Sequence, residues 1–474
     1  LSLLNNLKMK KSVVGVIGLG TMGSNLLLNI SDHKLAGAGF DIDQKKVDLL
    51  LKNKRDNISA TNELKTFVSF LEKPAKIILL VPAGPIVDSV LKDLIPLLSA
   101  GDVVIDGGNS YFKDTDRRFH TLKETGLHFM GMGVSGGEEG ARFGPSIMPG
   151  GDESAYHSIE SVLNAIAAIY KGEPCAAYMG NGPAGHYVKM VHNGIEYAML
   201  QIIAETYSVL KKINKLDNVQ IANIFKSWVK GELNGYLMES AIEVILRKDD
   251  LAEGFLIDHV LDVARSKGTG KWTSQDAMEV QVPVPSIDMA VAVRDLSSWI
   301  DLRKQLASRK TNELPAKKLK TTELKKAVSA AFMLCYAQGL HQIHKASEVY
   351  KFDTSLLQVV KNWRAGCIIR SGMLPVFKKA YEKNPSLVNI LADEEIFKSI
   401  YVNIPSLSSI VLRTIQSGYT IPAIESCLSY FRMMTSDSLP MNVIQGLRDH
   451  FGAHTYERND RTGIFHTDWA QPVK

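Results

Sequence analysis

The sequence predicts an α/β domain built on a parallel sheet, followed by a large all-α region and an irregular C-terminal tail, and three observations predict it. Up to about Cys175, short runs rich in Val and Ile alternate with helix-like segments; strands that read as continuous apolar runs belong to parallel sheets covered on both faces. Beyond Gly185 those runs stop and apolar residues recur every three or four positions, as over residues 185–212 and 322–350, which is the period of packed helices. After His450 the periodicity is lost, and aromatics, glycines and charges alternate without a pattern. The expected domains are therefore 1–184, 185–446 and a tail, 447–474. The tail cannot form a core of its own, and its aromatics favour lying across another surface.

A chain of 474 residues with 45% hydrophobic content buries large cores and divides into two or three domains by ordinary domain sizes. Charged residues make up 22% with both signs mixed, which argues against a disordered chain and a basic nucleic-acid binder. Cys175, Cys335, Cys367 and Cys427 form no Cys-x-x-Cys pair, so reduced, buried thiols are expected and neither a zinc site nor a redox dithiol. No run reaches the roughly 18 to 20 apolar residues of a membrane span. Residues 1–12 carry Lys8, Lys10 and Lys11 after their apolar part, the reverse of a secretory signal. They read as a leader to the first strand, and the expected compartment is the cytoplasm.

The first strand, Val13-Val14-Gly15-Val16-Ile17, runs directly into Gly18-Leu19-Gly20-Thr21-Met22-Gly23 and a helix over residues 24–30. Strand, glycine pattern and helix in this order form a Rossmann-like dinucleotide site: Gly18 for the tight turn, Gly20 for the approach of a pyrophosphate, Gly23 for helix–strand packing. Leu19, Thr21 and Met22 share that turn. The alternative is a glycine-rich turn without a ligand. The second strand, residues 38–40, ends at Asp41 in Asp41-Ile42-Asp43. An acid there accepts from a ribose 2′-hydroxyl and repels a 2′-phosphate, which favours NAD over NADP; if Asp41 only caps the next helix, the choice is open. The third strand, residues 77–81, leads into Val81-Pro82-Ala83, and the fourth, residues 103–105, into Asp106-Gly107-Gly108-Asn109-Ser110.

At the start of the helical region Lys189, His192, Asn193, Glu196 and Tyr197 stand at i, i+3, i+4, i+7 and i+8, so all five share one helix face. A solvated polar face is the plain alternative. The other faces carry Val188, Met190, Val191, Ile195 and Met199, so the helix is buried and its polar stripe needs a cleft, partners or a ligand. In a cleft a lysine loses its proton easily enough to act as a base, while a glutamate keeps its own and acts as an acid. No metal is required for that pair. Gly194 costs the helix about 1 kcal/mol relative to alanine, which implies that something packs closely there. Residues 224–231 resemble residues 359–366, by duplication of a helical unit or by chance likeness between amphipathic helices, and the Lys-rich residues 308–322 read as an exposed connection between the two units.

Three further motifs, Gly133-Val134-Ser135-Gly136-Gly137-Glu138-Glu139-Gly140-Ala141, Gly144-Pro145-Ser146-Ile147-Met148-Pro149-Gly150-Gly151 and Lys267-Gly268-Thr269-Gly270-Lys271-Trp272-Thr273, complete a pattern that closes with Arg448-Asp449-His450-Phe451-Gly452-Ala453-His454. With the Asp106–Ser110 segment and the helix stripe, they resemble the 6-phosphogluconate dehydrogenase family from about Val13 to Trp469. Several long motifs in order are far more specific than one glycine pattern. The resemblance implies oxidative decarboxylation of 6-phosphogluconate to ribulose 5-phosphate and CO2, with Lys189 as general base and Glu196 as the acid that protonates C1. It implies that Asn109, Ser135, Gly136, Gly137, His192 and Asn193 hold the carboxylate and hydroxyl end of the substrate, and that Asn109 and residues 81–83 also lie against the cofactor. Tyr197, Lys267, Thr269, Arg294 and Arg448 would bind the phosphate, with His454 beside Arg448. The tail would insert into the second subunit of a homodimer.

Two departures concern the cofactor. NADP-dependent members carry Asn-Arg-Thr after the second strand where this chain has Asp41-Ile42-Asp43, and a Val-Lys-Ala stretch where it has Val81-Pro82-Ala83. Both point to NAD, while the habit of the family's long-chain members leaves NADP open. Two competing functions remain in view. A 3-hydroxyisobutyrate-type dehydrogenase shares the dinucleotide fold and the helix lysine but is much shorter, and an inactive dinucleotide-binding protein would have no need of Lys189 and Glu196 on one face.

Overall fold

The computed structural model describes residues 11–266, 268–309 and 317–470. Lys267, most of the leader and residues 310–316 of the basic connection lie outside the described residues. The chain forms two compact units, Leu1–Cys427 and Leu428–Lys474.

The first unit opens with a seven-stranded sheet. Its strands are β1 Val14–Ile17, β2 Gly37–Phe40, β3 Ile58–Thr61, β4 Lys76–Leu79, β5 Val103–Asp106, β6 His128–Ser135 and β7 Ser146–Gly151, in the order β3-β2-β1-β4-β5-β6-β7. Strands β1 to β6 are parallel. The expectation of a parallel sheet needs correction at one edge, where β7 runs antiparallel to β6 from Met130↔Gly151 to Ser135↔Ser146. Along β5, Val103 and Ile105 pack in one apolar cluster with Leu26, Ile30 and Ile159, while Val104 packs in a second with Phe67, Leu91 and Leu122. Burial on both faces explains the unbroken Val/Ile runs. Chain order reverses direction between β1 and β4, and in such sheets ligands bind beyond the carboxyl ends of the strands at that switch. The Gly18 turn, residues 81–83, Asn109 and Gly136 each follow the carboxyl end of a strand.

Strands β6 and β7 are glycine-rich because a helix backbone lies directly on them. A methyl on Gly133 would come within 2.4 Å of Lys189 Cβ, one on Gly150 within 2.3 Å of the Gly185 nitrogen, and one on Gly185 within 2.2 Å of the Gly131 carbonyl oxygen. That helix, Ala184–Lys212, is 29 residues long, and it packs against a 30-residue helix, Thr321–Tyr350. Both are buried on most faces. Each is followed by a shorter helix that runs into a tryptophan, Asn218–Trp228 in one case and Leu356–Asn362 before Trp363 in the other. Among the described residues no helix is long and apolar enough to cross a membrane.

The second unit contains the helix Met441–Gly452 and a short antiparallel hairpin, Tyr456–Glu457 with Ile464–Phe465. The tail was expected to lose regular structure after His450; the helix instead continues through Gly452, and the boundary drawn between residues 446 and 447 falls inside it.

Candidate active site

The stripe read from the sequence lies on the first half of helix Ala184–Lys212, where the helix crosses β6 and β7. Lys189 and His192 are buried. The Lys189 Nζ lies 3.4 Å from His192 Nδ1, which is 3.0 Å from Asn193 Oδ1 and 3.9 Å from Glu196 Oε2. His192 Nε2 is 3.3 Å from the Ser135 hydroxyl at the end of β6. With Nδ1–H donating to Asn193, Nε2 is left to accept from Ser135; that tautomer follows from the contacts. Burial pushes the Lys189 ammonium down from its ordinary value, with Glu196 offsetting part of the shift. Burial pushes the Glu196 carboxyl up, against the pull of Lys189 and Arg294. His192 is pushed well down by burial and by Lys189 beside it, so the ring between them is neutral. The two shifts run in the directions that let a lysine accept a proton and a glutamate keep one.

Gly136 and Gly137 follow Ser135 with φ of +114° and +63°, a left-handed pair that glycine adopts without strain and that turns successive backbone N–H groups toward one side. A side chain at Gly136 would come within 2.6 Å of the Gly366 carbonyl, so the loop after Trp363 closes the back of this turn. Asn109 stands exposed on a loop held from below by Asp106, whose carboxylate accepts from the Gly108 N–H at 3.0 Å and from the Ser110 hydroxyl at 2.6 Å.

One turn further along the helix, the Arg294 guanidinium lies 3.5 Å from the centre of the Tyr197 ring. That ring also rests on Gly270, where a methyl would meet it at 2.4 Å. Helix Thr269–Glu279 begins at this point after Gly268, which places Tyr197, Thr269 and Arg294 together. A hydroxyl, a guanidinium and a helix N-terminus suit a phosphate. Thr273 of the same helix explains Gly194: a methyl there would meet Thr273 Cγ2 at 2.6 Å, and the Thr273 hydroxyl donates to the Met190 carbonyl at 2.9 Å. Arg448 and His454 belong to the second unit.

At the nucleotide end, Gly18 has φ +94° and a side chain there would press on the Leu80 carbonyl at 2.5 Å, while one on Gly23 would strike the Gly18 carbonyl at 1.8 Å. Around Gly20, by contrast, nothing lies within 4 Å of where a side chain would begin. Helix Thr21–Asp32 starts there without a side-chain cap, so its first N–H groups are available to an anion. These residues fit a dinucleotide pyrophosphate. A cavity of about 650 Å³ continues past Met22, Val81, Pro82, Ala83 and Asn109 to Trp272.

Asp41 is buried, and its carboxylate is already engaged. It accepts from the Leu19 N–H at 2.8 Å and the Asp43 N–H at 3.0 Å, and Lys46 Nζ lies 3.2 Å away. The cap of the next helix, Gln44–Leu51, is Asp43 and not Asp41. Lys46 was missed in the sequence, as were Asn362 and Trp363. The Asn362 amide donates to the Ile147 carbonyl at 2.7 Å and Trp363 sets its ring edge-on to His192 at 5.7 Å between centroids. The only signal for the latter pair was the Asn-Trp within the repeated segment, which reads as an ordinary helix end.

Two family models divide the chain: the NAD binding domain of 6-phosphogluconate dehydrogenase matches residues 13–180, and the C-terminal domain of 6-phosphogluconate dehydrogenase matches residues 185–469. A Lactococcus lactis protein described as 6-phosphogluconate dehydrogenase, decarboxylating, is 43% identical over 97% of this chain and 99% of its own length. A Bacillus subtilis protein described as 6-phosphogluconate dehydrogenase, NADP(+)-dependent, decarboxylating, is 42% identical over 97% of this chain and 100% of its own. The solved Plasmodium falciparum 6-phosphogluconate dehydrogenase, described as apo and in complex with NADP+ and with 6-phosphogluconate, superposes with a TM-score of 0.93 at 38% identity, covering 96% of this chain and 100% of that one. The preference for NAD inferred from Asp41, Ile42 and Pro82 is thereby overturned, since the Bacillus subtilis relative is described as NADP(+)-dependent and the Plasmodium falciparum enzyme as in complex with NADP+. Repulsion of a 2′-phosphate presumes a free carboxylate. Here two backbone N–H groups occupy the carboxylate of Asp41, and Lys46 balances its charge.

Proposed function

The chain belongs to the 6-phosphogluconate dehydrogenase family, and from that premise we propose that it oxidises and decarboxylates 6-phosphogluconate to ribulose 5-phosphate and CO2 with NADP, using Lys189 as base and Glu196 as acid. The observation that carries this reading is the pair itself: Lys189 and Glu196 flank one neutral histidine, and burial moves their proton affinities in opposite senses. Neutral Lys189 takes the proton of the 3-hydroxyl as C3 is oxidised, and the nicotinamide, when bound, supplies the hydride acceptor. The resulting 3-ketone lies β to the carboxylate, so CO2 departs as its bonding electrons pass into that ketone and leave an enediol. Lys189 returns the proton it took to the ketone oxygen as CO2 departs, and takes it back from the enediol hydroxyl as Glu196 delivers a proton to C1, which leaves the ketone of ribulose 5-phosphate. Ser135, His192 and Asn193 orient the hydroxyl and carboxylate end. Tyr197, Lys267, Thr269 and Arg294 hold the phosphate.

On this reading residues 1–184 bind the cofactor, residues 185–446 carry the substrate site and the contacts of a homodimer, and residues 447–474 bring Arg448 and His454 to the second subunit's phosphate site, in the cytoplasm. The test is Lys189→Met. Calorimetry should show 6-phosphogluconate binding retained, while reduced-nicotinamide formation falls by at least about 100-fold; turnover near that of the unaltered enzyme refutes the role of Lys189. Initial rates at equal concentrations should be faster with NADP than with NAD. Exchange of the tail predicts that mixed dimers of Lys189→Met and Arg448→Ala chains recover activity that neither has alone.

A further inference from the structure

In the C-terminal unit, four donors converge on one carboxylate. Asp449 Oδ1 accepts from the Thr455 N–H at 2.9 Å and from His466 Nδ1 at 2.8 Å, and Oδ2 accepts from the Thr467 N–H at 3.1 Å and from Trp469 Nε1 at 2.9 Å. The group is fully buried. Burial opposes its charge, but the donors of His466, Thr467, Trp469 and Thr455 prevail and hold it well below the usual carboxylate range. Thr455 is the reason such a grip is needed. Its φ of +61° lies in the left-handed region, a strained conformation for a β-branched residue that persists only where the surroundings over-determine it. Asp449 takes its N–H, and Gln445 Nε2 donates to its carbonyl at 2.6 Å. The Oε1 of the same Gln445 accepts from Arg448 at 3.0 Å.

The turn held in this way carries His454. Its ring lies against Gly452, where a methyl would meet it at 2.7 Å. Gly452 is four residues beyond Arg448 on helix Met441–Gly452, and residues at that spacing share a helix face. The imidazole is therefore stacked one turn past the guanidinium on a single surface.

We propose that Asp449 is a positioning residue for phosphate recognition: its carboxylate locks the turn at Thr455, and so presents Arg448 and His454 as one preformed unit. The proposal rests on the reading that these two residues bind the substrate phosphate. In Asp449→Asn an amide N–H₂ faces donors where the second oxygen accepted from them, and the turn loosens.

In the full-length enzyme, Asp449→Asn should raise the KM for 6-phosphogluconate by about tenfold or more. The kcat and the KM for the nicotinamide cofactor should stay within about twofold, because a loosened tail touches neither hydride transfer nor the nucleotide site. Ribulose 5-phosphate binding, followed by calorimetry, should weaken in parallel. Arg448→Ala separates the two layers of inference. If it leaves the substrate KM unchanged, the phosphate reading falls; if it raises that KM and Asp449→Asn does not, the positioning role falls. A parallel loss of kcat and cofactor affinity in Asp449→Asn also overturns the proposal, since that marks general unfolding. Should Asp449→Asn fail to fold, Trp469→Phe and His466→Phe each remove a single donor and should raise the substrate KM by about two- to fivefold; an unchanged KM in both overturns it.

Discussion

The two halves of helix Ala184–Lys212 each carry a glutamate shielded from water and use it in opposite ways. Its first half carries Glu196, which faces a neutral histidine, a lysine and a guanidinium. Its second half carries Glu205, whose carboxylate accepts from the Ala423 N–H at 2.9 Å, the Ile424 N–H at 3.1 Å and Gln201 Nε2 at 3.0 Å. Burial pushes both carboxyls up. The difference lies in what fills the oxygens. Backbone donors at the start of the helix that begins at Pro422 bind Glu205 to structure, whereas Glu196 is left beside groups that can exchange protons. A perturbed acid is functional when its partners can change protonation, and structural when they cannot.

The sharpest break in this comparison is Glu196→Gln. Protonation of C1 loses its donor, so kcat should fall by roughly 100- to 1,000-fold with thermal stability unchanged. Steady-state rates and a melting curve check both halves, and a kcat near the starting value would erase the distinction between the two glutamates. Next comes Gly133→Ala in β6. Its methyl would sit 2.4 Å from Lys189 Cβ, so the lysine must move, and kcat should drop by about tenfold or more because misplacement of a reacting group by a fraction of an ångström is costly. An unaltered kcat would mean that the helix rides freely on the sheet.

Gly194→Ala sharpens the comparison at the midpoint of the helix. Alanine gains about 1 kcal/mol of helix propensity, yet its methyl would strike Thr273 at 2.6 Å. Helix Thr269–Glu279 has to shift, and it carries Thr269, which we propose binds the substrate phosphate. A several-fold rise in the substrate KM with a smaller change in kcat is expected from kinetics, and a variant that is more stable and equally active would show that the contact is slack.

The clustering of the polar stripe was legible because a period of 3.6 sets five polar residues on one stripe, and the apolar flanks forced that stripe out of solvent. The turn at Gly18 was legible because strand, glycines and helix follow one another along the chain. Strands β6 and β7 were not, since their glycines answer to a helix backbone packed on them and remove the alternation that marks a strand. The misreading of Asp41 is electrostatic. Its residue type was visible, but the N–H of Leu19 and the ammonium of Lys46, which cancel its repulsion, are properties of the folded loop. In the tail, Asp449 gave no signal because its four partners have no periodic spacing.

The smallest effect on turnover, and the one that decides whether the second half of the helix is purely structural, belongs to Glu205→Gln. Glu205 is pushed up to about 7 from an ordinary 4.5, by burial first, against the pull of its three donors. Between those two values the folded chain holds a proton that the unfolded chain has released, so the stabilisation is complete below about pH 4.5 and is lost as the pH rises through about 7, a swing of about 3 kcal/mol. Glutamine does not titrate. It also places an N–H₂ where one carboxyl oxygen accepted, which costs about 1 to 2 kcal/mol at every pH. The variant should therefore melt slightly below the unaltered enzyme at pH 5 and above it by pH 8, because the swing of about 3 kcal/mol exceeds the fixed cost, with kcat within about twofold throughout. Calorimetric melting at one protein concentration across that range is the measurement. A gap that widens with pH would mean that Glu205 is ionised in the fold and caps the Pro422 helix by charge, and a fall in kcat comparable to that of Glu196→Gln would make both halves of the helix part of the catalytic machinery.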